Sequence, residues 1–357
     1  MITVFNNTMK SKYTLILLFW SFTHVAHAQT RPYRNLVMEG GGIKGIAYGG
    51  ALAELESRGV LQSITRVAGT SAGAIQAALF ALGYNAEEIT EIIHSTPIES
   101  FNDDGFIVRG TKRLLKKFGW YKGDAFHLKM LELIAQRTGN PNLTFADLHG
   151  LAKTYPFRDL YVTGANLTQQ KIEVFSHESY PNMRIADAVR ISMSIPLFYE
   201  AIWLDTGGKV WEDGCPTCQL FVDGGLLMNY PVEVFDRPEF IRNVDYSAEK
   251  LFNTETIGLR LERCDQIDYD LNQNQTIAPR IIQDFGSYMS ALSGLLMRNV
   301  APPHPRDPER TIYINDMGFS SMPRKVPVQE KEMLINSGRQ AVLEFFALRS
   351  ASSENEE

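Results

Sequence analysis

An α/β fold with a central, mostly parallel sheet is the architecture this chain predicts, and three observations carry it. Short apolar runs alternate with helix-like runs along the sequence. Two of those runs end in glycine-dense turns that lead directly into a helix, at Gly40–Gly45 and at Gly69–Gly73. The composition, 44% hydrophobic and 21% charged, is that of an ordinary globular protein and argues against disorder or coiled coil. The 357 residues show no internal repeat and no convincing linker, so a single domain is expected.

The elements follow in order. Asn35–Glu39 is a short buried strand, followed by a helix over Ile46–Ser57 in which Gly49 and Gly50 permit close packing. Arg66–Ala68 ends a second strand, and Ala72–Leu82 is an alanine-rich helix against it; another helix covers Ala86–Ile93. Asp124 starts a helix over Phe126–Ala135. Leu160–Asn166 and Lys171–Ser176 flank a polar turn and read as paired strands. Arg184–Ile191 is helical and stops before Pro196. Phe221–Val222, Thr256–Leu261 and Thr311–Ile314 are strands, while Pro327–Leu348 is a closing helix. Ile281–Arg298 is expected as a long amphipathic helix facing the core through Phe285, Met289, Leu292, Leu295 and Leu296. Asp205–Gln219 and Ala301–Pro308 are expected as surface loops, and residues 350–357 as a disordered tail.

The first 28 residues stand apart. Lys10 and Lys12 precede an apolar stretch, Leu15–Phe22, and Ala26-His27-Ala28 supplies the small residues of a cleavage site before Gln29. The stretch is short for a membrane span, which takes about 20 residues, so an exported protein with a cleaved leader is expected. Periplasmic, envelope-associated or secreted destinations all fit. The domain is then 29–349, with core motifs over 36–234 and further strands and helices over 250–348. Losing Lys10 and Lys12 takes the formal charge from −6 to −8, which disfavours a nucleic-acid partner. Of the three cysteines, Cys215 and Cys218 are expected to form a local disulfide in an exported chain, leaving Cys264 as a buried free thiol. No metal-ligand spacing accompanies them, and no metal or cofactor is expected.

Gly69-Thr70-Ser71-Ala72-Gly73 follows a strand and opens a helix. That setting lifts a serine hydroxyl out of a sharp turn at a helix N-terminus. The plainer reading is a tight turn whose serine caps the helix. Gly40-Gly41-Gly42-Ile43-Lys44-Gly45 formally matches a dinucleotide fingerprint. That reading needs a carboxylate about 20 residues on, and Ser63–Gly69 holds none, so no nucleotide is expected. An oxyanion loop remains, its N–H groups turned to one side. Lys44 either lends it charge or is solvated.

A nucleophilic Ser71 needs a base. Of the histidines in the expected mature chain, His304 has the chain order of a triad but lies among prolines. Asp223, in Phe221-Val222-Asp223-Gly224-Gly225, ends an apolar strand before two glycines, and burial would make it a better proton acceptor.

These segments together resemble the three ordered signatures of the patatin-like phospholipase family. Ser192-Met193-Ser194-Ile195-Pro196 and Leu226-Leu227-Met228-Asn229-Tyr230-Pro231 resemble the family's flanking segments. The resemblance implies a three-layer fold and hydrolysis of lipid acyl esters by a Ser-Asp dyad with no histidine. Ser71 would be the nucleophile and Asp223 the base. Gly41, Gly42 and Gly45 would lie in the oxyanion loop, with the Ala72 N–H as a further donor. Glu39 before the glycines and the cysteine-bearing insert before Asp223 depart from the pattern. The rivals are a Ser-His-Asp esterase using His304 and a non-enzymatic lipid-binding envelope protein. The basic, aromatic stretch Thr111–Lys122 either rests on an anionic membrane surface through Leu114, Leu115 and Phe118 or packs on the sheet with its lysines in water.

Overall fold

The computed structural model describes residues 32–154, 156–272, 277–284, 287–288, 291–292, 295 and 304–354, with Pro32–Glu357 as one compact unit. The leader expected over 1–28 lies outside the described residues.

The chain alternates as its apolar pattern requires. β1 (Asn35–Met38), α1 (Tyr48–Ser57), β2 (Arg66–Gly69), α2 (Ala72–Ala81) and α3 (Ala86–Ser95) come first. Then follow α4 (Ile107–Lys117), β3 (Gly119–Tyr121), α5 (Asp124–Thr138), α6 (Phe145–Leu151), β4 (Asp159–Asn166), β5 (Lys171–Phe175) and α7 (Ile185–Ser192). The rest comprises β6 (Leu197–Tyr199), β7 (Ile202–Leu204), β8 (Val210–Trp211), β9 (Gln219–Asp223), β10 (Thr256–Glu262), α8 (Cys264–Leu271), β11 (Thr311–Asn315) and α9 (Val328–Glu354).

The main sheet runs β11-β10-β1-β2-β4-β9-β7-β8, with β5 also on β4. β11, β10, β1, β2 and β4 are mutually parallel, and β5, β9, β7 and β8 extend the sheet antiparallel. Alternate residues bury both faces. Leu36, Met38, Val67, Leu160 and Val162 join the core built with α1, α2, α5 and α7. Val37, Ala68 and Tyr161 point the other way, where Val232, Val234 and Phe235 from a 3-10 turn cover them.

β4 organises the site. Val162 pairs with both Gly69 and Phe175, so β2 and β5 lie on opposite edges of β4. Gly164 pairs with both Glu173 and Asp223, so β9 also lies opposite β5 and shares its edge with β2. β2 therefore runs up one edge to Gly69, and β9 comes down the same edge to end at Asp223. The two chain turns meet head to head in the gap between Val162 and Gly164.

Several expectations need correction. The tail expected over 350–357 is helical as far as Glu354, because α9 continues past Leu348. Cys264 is exposed at the first residue of α8, not buried. Ile281–Gln283 is not helical, and the described Leu292 and Leu295 are exposed instead of facing the core. Ser287, Tyr288, Ala291, Leu292 and Leu295 are helical as expected, while Phe285, Met289 and Leu296 lie outside the described residues. Part of Asp205–Gln219 is the strand β8, paired to β7, and Asp307 in the proline-rich stretch is buried against Arg310. Thr111–Lys122 is not one helix. α4 ends at Lys117, Phe118 turns at φ +65°, and β3 pairs with β6 as a separate two-stranded sheet.

Candidate active site

Ser71 sits between β2 and α2 at φ +53°, ψ −122°, a region non-glycine residues rarely occupy. Holding it there costs on the order of 1–3 kcal/mol. The turn is feasible because α2 approaches β1 at Gly73, where a Cβ would stand 2.2 Å from the Met38 carbonyl oxygen. Gly69, the end of β2, packs equally closely against the Gly73 backbone. The result is a buried serine at the N-terminus of an apolar helix, with its main-chain N–H bonded to Ser192 Oγ at 2.9 Å.

Asp223, only 5% exposed, faces it. Its carboxylate accepts a hydrogen bond from the Ser71 hydroxyl, and Oδ1 accepts the Gly225 N–H at 2.7 Å. Burial pushes its pKa up to about 7, and those two hydrogen bonds hold it partly down. Its own N–H donates to the Ser194 carbonyl at 2.9 Å. Ser194 Oγ in turn accepts from the buried Arg190 at 2.5 Å. The C-terminal end of α7 and the turn after it thus hold both partners. Gly224 and Gly225 form a 3-10 turn that carries the chain away from the pair.

The glycine loop lies alongside. Gly42 has φ +55°, and a Cβ there would meet the Ser321 carbonyl oxygen at 1.8 Å. Among the described residues, the N–H groups of Gly41, Gly42 and Ala72 have no protein acceptor. Gly45 is a correction. It lies within the 3-10 helix Gly42–Ala47, where its N–H belongs to the i→i−3 ladder, and its missing side chain admits Ala72. Lys44 is ion-paired with buried Asp316 and borders the cleft that holds Gly41, Gly42 and Ser71.

Two supports were not read as functional in the sequence. Asn229 clamps Gly40 by exchanging both main-chain bonds, Gly40 N–H to Asn229 O and Asn229 Nδ2 to Gly40 O, each 3.0 Å. Glu39 accepts from Asn229 Nδ2 at 3.2 Å and from the Leu261 N–H at 2.7 Å. Burial raises the Glu39 pKa to about 7, against the lowering pull of Arg260. Long sequence separation hides such pins; the unexplained Glu39 was the available signal.

Two spaces meet at Ser71. One is an apolar pocket of about 100 Å³, open to solvent, lined by Leu79, Ile92, Phe126, Met130 and Leu133. The other is a wide polar cleft bordered by Asp223, Asn229, Arg260 and Glu233. Gly42, Ser71 and Ile195 line both.

His304 borders that cleft, but the contacts of its ring are stacking on Phe252 and a bond from the Arg306 N–H to Nδ1. Among the described residues, one cluster has metal-ligand spacing: His149, Asp159 and His177, with ligand atoms within 4.8 Å. Asp159 starts β4 beside Arg66, so this cluster lies at the N-terminal end of the strands, opposite the end that carries Ser71. Cys215 and Cys218 are joined as a disulfide before β9.

A family model described as Patatin-like phospholipase matches residues 36–236. R571 of Acanthamoeba polyphaga mimivirus, an uncharacterized protein, is 27% identical over 87% of this chain and 92% of its own. YqhO of Bacillus subtilis is 35% identical over 57% of this chain and 67% of its own. A probable lipid hydrolase, 463L of Invertebrate iridescent virus 6, is 23% identical over 57% and 63%. Among solved structures, VipD from Legionella pneumophila shares the fold, with a TM-score of 0.54 and 18% identity over 88% of this chain and 66% of VipD.

Proposed function

The chain belongs to the patatin-like phospholipase family, and from that premise we propose that it is an exported lipid acyl hydrolase working through Ser71 and Asp223. Asp223 takes the proton of the Ser71 hydroxyl as Oγ attacks an ester carbonyl. The developing oxyanion is met by the N–H groups of Gly41, Gly42 and Ala72, at the positive end of α2. As the tetrahedral adduct collapses, the C–O bond breaks and the alcohol leaves with the proton from Asp223. Water then attacks the acyl-serine, Asp223 accepting its proton and returning it to Ser71.

The observation that carries this reading is the position of Ser71. It is hydrogen-bonded to a buried carboxylate with a raised pKa, between an apolar pocket and a polar cleft. An acyl chain suits the first and a headgroup the second, which is the polarity of an amphiphilic ester. Neither nucleotide nor nucleic acid has a place in the scheme, and no metal is required.

The test is hydrolysis of a total lipid extract with product identification, comparing wild type with Ser71→Ala and Asp223→Asn. Free fatty acid released by wild type alone supports the proposal, and undiminished release by either variant refutes the dyad. Export is tested by N-terminal sequencing: a start at Gln29 supports it, and an intact upstream segment contradicts it.

A further inference from the structure

Helix α4 is turned inside out. Its inward side carries charge: Arg113 is buried and ion-paired with Glu200 at 2.7 Å and with Asp104, and Lys117 is paired with Asp213. Gly110 on the same side leaves room for the Trp120 ring. The outward side is apolar, with Val108 83% and Leu115 75% exposed and Ile107 beside them. At about 100° per residue Val108 and Leu115 lie roughly 20° apart, opposite Arg113. Lys112 and Lys116 line one side of this ridge, exposed and without an ion-pair partner among the described residues. No core-packing logic produces this arrangement, because a helix folded against a sheet turns its apolar side inward.

The ridge continues toward Ser71. Phe106 before α4 and Phe118 after it are exposed, and β3–β6 pairing sets Gly119, next to Phe118, opposite exposed Leu197. Ile195 and Pro196, just before Leu197, border the cleft that contains Ser71.

We propose that α4 docks on an anionic lipid surface, with Val108 and Leu115 inserted among the acyl chains and Lys112 and Lys116 over the headgroups. Charge identifies the occupant. α4 holds Arg109, Lys112, Arg113, Lys116 and Lys117 and no carboxylate, in a chain of net charge −6. An apolar ridge edged by lysines is the make-up of an interfacial helix. A second copy of the same basic helix would repel it. The consequence for catalysis, that docking brings the Ser71 cleft to its substrate, rests on the lipid-hydrolase reading; the docking itself does not.

The experiment uses Ser71→Ala full-length protein, so that no lipid is consumed, in co-sedimentation with phosphatidylglycerol and with phosphatidylcholine vesicles. Partition onto phosphatidylglycerol vesicles is expected, reduced at least tenfold by Val108→Glu with Leu115→Glu. Lys112→Gln with Lys116→Gln is expected to lower it roughly thirtyfold on the anionic vesicles and hardly at all on phosphatidylcholine. In the Ser71 background, both pairs of substitutions leave turnover of a monomeric short-chain ester unchanged and slow hydrolysis of vesicle lipid. If Val108→Glu with Leu115→Glu impairs the soluble ester too, the lysine pair decides alone. Failure of the parent to sediment, equal sedimentation of all variants, or a wild-type dimer dissolved by Val108→Glu would overturn the proposal. Vesicle binding without any esterase activity would instead sink the hydrolase reading and leave docking standing.

Discussion

Replacing Asp223 by asparagine separates what the group does for catalysis from what it does to the fold. The carboxylate is buried, with a pKa of about 7 in place of 3.8. A folded value above the unfolded one means that the native state holds a proton more tightly, so stability from this group falls as pH rises. Below about pH 4 it is neutral in both states and costs nothing; above about pH 7 it is charged in both, and folding bears the desolvation. A shift of about three units at ~1.4 kcal/mol each gives ~4 kcal/mol forfeited at pH 8. At pH 5 the same two values leave about 2 kcal/mol, because part of the titration is already complete. Asparagine matches the shape, keeps an acceptor for the Gly225 N–H and never ionises. Asp223→Asn is therefore expected to be more stable than wild type by ~4 kcal/mol at pH 8 and about 2 kcal/mol at pH 5, while esterase turnover falls by at least about 10³. Urea denaturation of both proteins at the two pH values reads the difference directly. A variant less stable than wild type at pH 8, or a stability gap that shrinks as pH rises, would refute the burial argument.

Other outcomes follow from the same geometry. In wild type, kcat/KM for a soluble ester should rise with pH to a plateau above 7, and at pH 5 should be about one-hundredth of that plateau; a flat profile from pH 5 to 8 would remove Asp223 as base. Gly42→Ala forces a side chain into the Ser321 carbonyl at positive φ, so kcat should drop at least about 10²-fold, and a soluble, folded Gly42→Ala enzyme with normal kcat would remove that loop from the oxyanion site. Met130→Trp fills the apolar pocket beside Leu133; KM for long-chain esters should rise at least tenfold with short-chain esters unaffected, and equal effects on both would show that acyl chains lie elsewhere.

The parts of the site legible in the sequence are those whose geometry forces a local residue choice. Ser71 at positive φ needs Gly69 and Gly73 beside it, and Asp223 at a strand end needs the glycines after it, so both announced themselves. The alternating runs likewise marked the parallel strands, because strands buried on both faces are continuously apolar. What stayed hidden depends on contacts far apart in sequence. The pins from Glu39 to Asn229 and Leu261, the pairing of Lys44 with Asp316, and the shared edge of β4 leave no periodic trace. The 3-10 start at Gly42–Ala47 removed Gly45 from the donors, since the sequence does not tell a loop N–H from one already bonded within a helix. α4 misled for another reason. Its amphipathic pattern is real, but pattern alone does not say which side faces the protein, and the ion pairs of Arg113 decide it.

The proposed hydrolysis requires Ser71 to be the activated nucleophile, which covalent trapping tests without any assumption about the substrate. Full-length wild type, Ser71→Ala and His304→Gln proteins are treated with an alkyl fluorophosphonate and read by intact mass and peptide sequencing. The expected result is one phosphonyl adduct on Ser71 in wild type and in His304→Gln, and none in Ser71→Ala. An adduct on another residue, labelling that persists in Ser71→Ala, or no labelling of folded wild type would contradict it.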